Sequence, residues 1–206
     1  MNKEKGLKIA AWSLAAVVLG SALVYYNFID KPIPSVEAGT LCPEFSVTVL
    51  DYENEAFAPR AETVSVSDYR GKILILNFWS TTCGSCMEEM PHFNEFQKAY
   101  ADQVEILALD GETNLNQSQV ISWMNKFRTT KGMEDRGAKV DPKYQWDTFD
   151  MSFGWYDVHN NDVGALLGFS YNWPATVILD KNGFIKYKHV GALEYEDLES
   201  IITRML

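Results

Sequence analysis

Residues 73–100 read ILILNFWSTTCGSCMEEMPHFNEFQKAY, and the fold is decided here. Ile73, Leu74, Ile75, Leu76, Phe78 and Trp79 form an apolar, β-favouring run that reads as a buried strand. After a turn through Ser80, Thr81 and Thr82, the residues Met87, Met90, Phe93 and Phe96 recur at helical spacing. Cys83 and Cys86 fall where strand gives way to helix. Unpaired N–H groups and the positive end of the helix dipole favour a thiolate there, lowering the pKa of the first cysteine. The second, one turn later, is close enough to attack a mixed disulfide made by the first. The pattern predicts a redox pair, with Cys83 as nucleophile and Cys86 as resolver.

Outward from this stretch, Thr176–Leu179 and Ile185–Val190 read as two strands around Asp180-Lys181-Asn182-Gly183, a hairpin signal through Asn-Gly. Phe45–Leu50 and Thr63–Ser67 alternate as strands, with Asp51–Ala61 between them expected as a loop. Val104–Ala108 is a short buried strand, and Gln117–Thr129 a helix with Val120, Ile121, Met124 and Phe127 on one face. Thr130–Asp150 is a polar insertion, followed by a short strand at Met151–Tyr156 and a short helix at Asp162–Leu167. An amphipathic helix from Glu194 closes the chain.

The segments NFWSTTCGSCMEEMP (77–91) and NWPATVILDKNG (172–183) resemble the thioredoxin superfamily, and more closely its membrane-anchored TlpA/ResA-like thiol-disulfide oxidoreductases. The likeness covers roughly residues 42–206. It implies an α/β thioredoxin-like fold, a central mixed sheet flanked by helices. It makes Pro91 the proline inside the active-site helix and Pro174 the cis-proline that faces the disulfide. Glu89 matches the acid that ResA-like proteins place beneath their cysteines, where a buried carboxyl with a raised pKa can shuttle the proton of Cys86. Asn77 stands where cytoplasmic thioredoxins carry a buried aspartate. Pro174, with the backbone of Trp173 and Ala175, is expected to hold a substrate chain beside Cys83, and Thr82, Gly84 and Ser85 border the same surface. Thr82 and Trp173 depart from the family pattern: tryptophan is usual before the first cysteine, and a smaller residue before the cis-proline. Trp173 is expected to cover part of the surface a substrate crosses.

The chain has 206 residues and a net charge of −10, which argues against nucleic acid as a partner. Lys3, Lys5 and Lys8 against Glu4 make the first eight residues basic. Residues 9–29 are apolar, about long enough to span a bilayer, with lysines before them and Tyr25-Tyr26 near the far end. A cleaved signal peptide is the rival reading, with its nearest cleavage region at Gly20-Ser21-Ala22. The expected organisation is therefore a cytoplasmic tail (1–8), a transmembrane helix (9–29), a linker (30–41) and an extracytoplasmic domain (42–206) carrying the insertion at 130–150.

Three cysteines are too few for a disulfide scaffold or a four-thiolate zinc site. Met87 stands where covalent haem attachment needs histidine, and Leu76 where a peroxiredoxin needs proline. Asp157, His159, Asn160, Asn161 and Asp162 read as a turn and helix cap rather than a metal site. Cys42 reads as a small buried hydrophobe. No cofactor or metal is expected. The resemblance implies disulfide-containing exported proteins as substrates, a membrane thiol transporter as electron donor, and a task in cytochrome c maturation or repair of oxidised proteins.

Overall fold

The computed structural model describes residues 39–127, 149–169 and 172–206. Seven strands form one sheet: β1 (Ser46–Glu53), β2 (Ala56–Ser65), β3 (Ile73–Trp79), β4 (Val104–Asp110), β5 (Ser152–Trp155), β6 (Ala175–Leu179) and β7 (Ile185–Val190). Their order across the sheet is β2-β1-β5-β4-β3-β6-β7. β3, β4 and β5 run parallel, and β1, β2, β6 and β7 make antiparallel pairs around them. The helices are α1 (Gly84–Tyr100), α2 (Gln117–Phe127), α3 (Val163–Leu166) and α4 (Tyr195–Ile202).

Every residue of β3 is buried, as expected of a parallel strand covered on both faces. Alternation along it builds two apolar layers. Ile73, Ile75 and Trp79 pack with Met90, Phe93 and Phe96 of α1 and with Leu198 and Ile202 of α4. Leu74, Leu76 and Phe78 pack on the other side with Val163, Leu167 and Phe169. Gln97, buried within α1, satisfies the sheet's backbone: its Nε2 donates to Val104 O and its Oε1 accepts from Ile106 N.

Where the sequence predicts a loop at Asp51–Ala61, the chain instead forms most of a hairpin. Leu50, Asp51, Tyr52 and Glu53 pair with Pro59, Ala58, Phe57 and Ala56. β2 lies at the sheet edge with six consecutive exposed residues, so it carries no apolar alternation to read. It also ends at Ser65, before a short 3-10 turn over Val66–Tyr69, rather than at Ser67. The turn rests on Asn54 and Glu55, both with positive φ (50° and 64°), which matches the right-handed twist of the flanking strands.

Other boundaries shift by a residue or two. β4 runs to Asp110 rather than Ala108, β5 occupies Ser152–Trp155, and α3 is one turn long. The expected transmembrane helix at 9–29 and most of the 130–150 insertion lie outside the described residues. Among the described residues, no helix is long and apolar enough to cross a membrane.

A left-handed conformation costs a non-glycine residue about 1–2 kcal/mol. Asn tolerates it better than Glu. Glu55→Gly is therefore expected to raise stability by up to about 1 kcal/mol after glycine's own entropy is counted, read as a higher urea midpoint.

Candidate active site

Cys83 is the N-cap of α1, with φ −88° and ψ 100°, so the chain leaves β3 and enters the helix at its sulfur. Its Sγ accepts a hydrogen bond from Cys86 N at 3.1 Å and lies 3.6 Å from Ser85 Oγ. The two cysteines form a disulfide with their Cα atoms 5.3 Å apart. Cys86 is fully buried, whereas Cys83 is only partly covered. Thr82, Gly84 and Ser85 are exposed around it. An incoming group can therefore approach only the first sulfur, and the helix N–H groups there stabilise the thiolate released on reduction.

Glu89, one turn beyond Cys86, is 1% exposed. Its Oε1 accepts from Asn77 Nδ2 at 2.7 Å and its Oε2 from Leu193 N at 3.0 Å. Burial pushes this carboxyl up to about 7, with the two hydrogen bonds pulling the other way. Such a group gives or takes a proton near neutrality. Cys86 and Glu89 both belong to the α1 side of the sheet.

The Trp173–Pro174 bond is cis. β3 and β6 register Phe78 against Ala175, which sets Pro174 where β3 ends and the cysteine loop begins. Pro174 is buried and its carbonyl accepts from Gly191 N at 2.9 Å. The ring of Trp173 is half-buried. It stacks on buried Phe78, centroids 5.5 Å apart and planes within 10°. A Cβ at Gly111 would overlap this ring, and one at Gly164 would come within 2.9 Å of it. The two glycines make the slot it fills.

The polar turn at Asp157–Asp162 is a turn and cap as expected. Asp157 accepts from His159 N and Asn160 Nδ2, and Asp162 caps α3 by accepting from Ala165 N. Cys42 is buried and unbonded, its thiol pushed up to about 11 by burial. His92 and His189 are both partly exposed, His92 on α1 and His189 on the edge strand β7.

Asp110 is a site residue that the sequence reading missed. It ends β4, faces Trp79 across the parallel pair, and is fully buried. Its Oδ1 accepts from Glu112 N at 3.3 Å, while Oδ2 has no hydrogen-bond partner among the described residues. Burial, and then the charge of Glu112, push it up to about 8. Glu112 in turn accepts from Thr81 Oγ1 at 2.9 Å, tying this turn to the cysteine loop. The signal was a carboxylate directly after the apolar run VEILAL, too polar to count as strand.

Residues 38–188 match the AhpC/TSA family. The chain is 32% identical over 179 residues to thiol-disulfide oxidoreductase ResA of Geobacillus kaustophilus, covering 85% of this chain and 82% of that one. It is 29% identical over 213 residues to thiol:disulfide interchange protein DsbE of Vibrio cholerae, covering 100% and 97%. Among solved structures, a chain described as thiol:disulfide interchange protein DsbE from Chlorobium tepidum superposes with a TM-score of 0.59 at 20% identity, covering 83% of this chain and 99% of that one.

Glu89 and Asp110 both hold protons more tightly folded than unfolded. Their contribution is complete below about pH 4 and is lost as pH rises toward 7 for Glu89 and 8 for Asp110. The loss is on the order of 3 kcal/mol for Glu89. The oxidised protein is therefore expected to unfold at lower urea at pH 8 than at pH 5.5, with Glu89→Gln and Asp110→Asn each flattening the difference. An equal slope in all three proteins would show that neither carboxyl titrates as its burial demands.

Proposed function

The chain belongs to the AhpC/TSA family and is a thiol-disulfide oxidoreductase of the ResA/DsbE type; we propose that it reduces disulfides in exported proteins from the outer side of a membrane. The observation that carries this is the contrast between a reachable Cys83 at the helix N-terminus and a sealed Cys86 above the buried acid Glu89.

In the reduced protein, the Cys83 thiolate attacks a substrate disulfide, and one substrate sulfur leaves as a thiolate. The Cys86 thiol gives its proton to the Glu89 carboxylate and attacks Cys83 Sγ. The Cys83–Cys86 disulfide forms, and the second substrate sulfur departs and takes a proton from solvent. Two electrons pass to the substrate. A carboxyl with a pKa near 7 is suited to this because it accepts the proton without remaining charged in an apolar layer. Pro174, where β6 begins beside the cysteine loop, with the backbone of Trp173 and Ala175, is the segment that holds a substrate chain next to Cys83, with Thr82, Gly84 and Ser85 at the rim.

Residues 9–29 serve as the anchor, and a membrane thiol transporter returns the electrons. The names of the ResA and DsbE relatives support exchange with protein disulfides. Substrates are then proteins maturing or oxidised outside the cytoplasm, apocytochrome c among them.

Two measurements test the reading. The reduced protein is expected to reduce insulin, with alkylating reagent labelling Cys83 well before Cys86 at neutral pH. Cys86→Ser expressed in the native host is expected to accumulate exported proteins disulfide-linked to Cys83. No insulin reduction, or faster labelling of Cys86, would overturn the assignment. Retention in the membrane after alkaline washing checks the anchor separately.

A further inference from the structure

Four large apolar side chains are exposed among the described residues, and two of them, Leu41 (55%) and Phe184 (38%), stand together. They face each other across an antiparallel β-bridge. Cys42 N donates to Gly183 O and Ile185 N to Thr40 O, so the bonds flank the pair and leave the two side chains at the closer of the antiparallel spacings. Cys42 and Ile185, their neighbours in the chain, are buried in the layer of Leu74, Leu76 and Phe78. Alternation therefore turns Leu41 and Phe184 the other way, into solvent.

Cations rim this pair. Lys186 Nζ lies 5.9 Å from the centre of the Phe184 ring. The Arg70 guanidinium rests against Gly183, where a Cβ would overlap it. Lys181 is exposed in the same hairpin, its carbonyl accepting from Gly71 N. Arg204 lines the same cleft as Lys186. The neighbouring acids are engaged. Asp180 pairs with Lys186 at 3.2 Å and accepts from Asn182 N and Phe184 N. Glu44 accepts from Ser67 N and Oγ, and Asp197 from Glu194 N. A cationic rim around an apolar pair, in a chain of net charge −10, suits an anionic lipid surface.

Chain length points to the same occupant. Residues 30–38 separate the apolar run from Gly39, about 35 Å of chain at full extension. Leu41 lies two residues further on, so an anchored chain keeps the patch within reach of lipid. Strand direction agrees. β3 and β6 register Phe78 with Ala175 at the cysteine end and Leu74 with Leu179 at the other. Phe184 follows Leu179 through the hairpin, which puts the patch at the end of the sheet remote from Cys83.

We propose that the Leu41–Phe184 patch docks on the phospholipid surface of the membrane that holds residues 9–29. The two apolar side chains enter the interface, and Arg70, Lys181 and Lys186 meet anionic headgroups. Cys83 is left turned away from the lipid, open to proteins on the outer side. The docking rests on the anchor proposed above.

The test uses the full-length protein in nanodiscs of phosphatidylcholine with or without phosphatidylglycerol. Phe184 is replaced by photoreactive p-benzoylphenylalanine, and Leu166, exposed on α3, by the same group as control. Irradiation is expected to give about fivefold more phospholipid adduct at position 184 than at 166. Omitting phosphatidylglycerol, or adding Lys181→Glu, is expected to lower the yield at 184 about threefold. In the unsubstituted protein, amide exchange over residues 180–186 is expected to be slower in the anionic discs than in the neutral ones. Equal adducts at the two positions, equal exchange in the two lipids, or a covalent dimer in place of lipid adducts would each overturn the docking, the last by giving the patch to a second copy. Release of the unsubstituted chain from its native membrane by alkaline washing would instead overturn the anchor on which the docking rests.

Discussion

A carboxyl group sealed in an apolar layer is the constraint around which this domain is arranged. Glu89 cannot be charged there without help, and its help comes from three directions. Asn77 reaches it from the central strand, the Leu193 backbone from the segment leading into α4, and its own helix holds it under Cys86. The two hydrogen bonds thus tie α1 to β3 and to the C-terminal helix, and they keep the carboxyl near neutrality instead of far above it. A glutamine would fill the same space, but it offers one accepting oxygen to the two donors, Asn77 Nδ2 and Leu193 N. What it would lose is the ability to change protonation state, which is the property a resolving thiol needs.

The central strand and the cysteine pair were legible because their signals are local. Ile73–Trp79 is an unbroken apolar run, and helix periodicity begins directly after Cys86. The Asn-Gly hairpin was legible for the same reason, with Gly183 at φ 84° and Asp180 accepting from Asn182 N and Phe184 N. β2 was not legible, since an exposed edge strand gains its order from pairing with β1 and not from burying alternate side chains. Asp110 was hidden by its own chemistry. A carboxylate reads as the end of a strand, and only the parallel register shows that it continues one residue into the layer beneath α1.

Trp173 shows what a local rule leaves out. Its position before the cis-proline suggested a ring lying over the approach to Cys83. The ring, half-buried, also stacks on Phe78 in space that Gly111 and Gly164 leave open. None of those three neighbours is close in sequence, so spacing could not reveal the slot. The consequence is mechanical. Gly111 follows Asp110 directly and donates its N–H to Trp79 O, while Glu112 holds Thr81. The short turn between β4 and α2 thereby touches both the cis-proline segment and the cysteine loop.

On the proposed reading, substrate selectivity is carried by the surface around Cys83. The residues exposed around Cys83 are Thr82, Gly84 and Ser85, all small, and Trp173 is half-buried. Small groups and main chain select an extended strand over a folded surface but discriminate poorly among side chains. On the proposed reading, such a site suits a partner that presents its disulfide on an extended segment. Glu89 and the turn at Asp110–Glu112 stand in different places, one below the helix and one at the ends of the parallel strands: on the proposed reading the first exchanges a proton with Cys86, while the second holds Thr81 of the cysteine loop through Glu112.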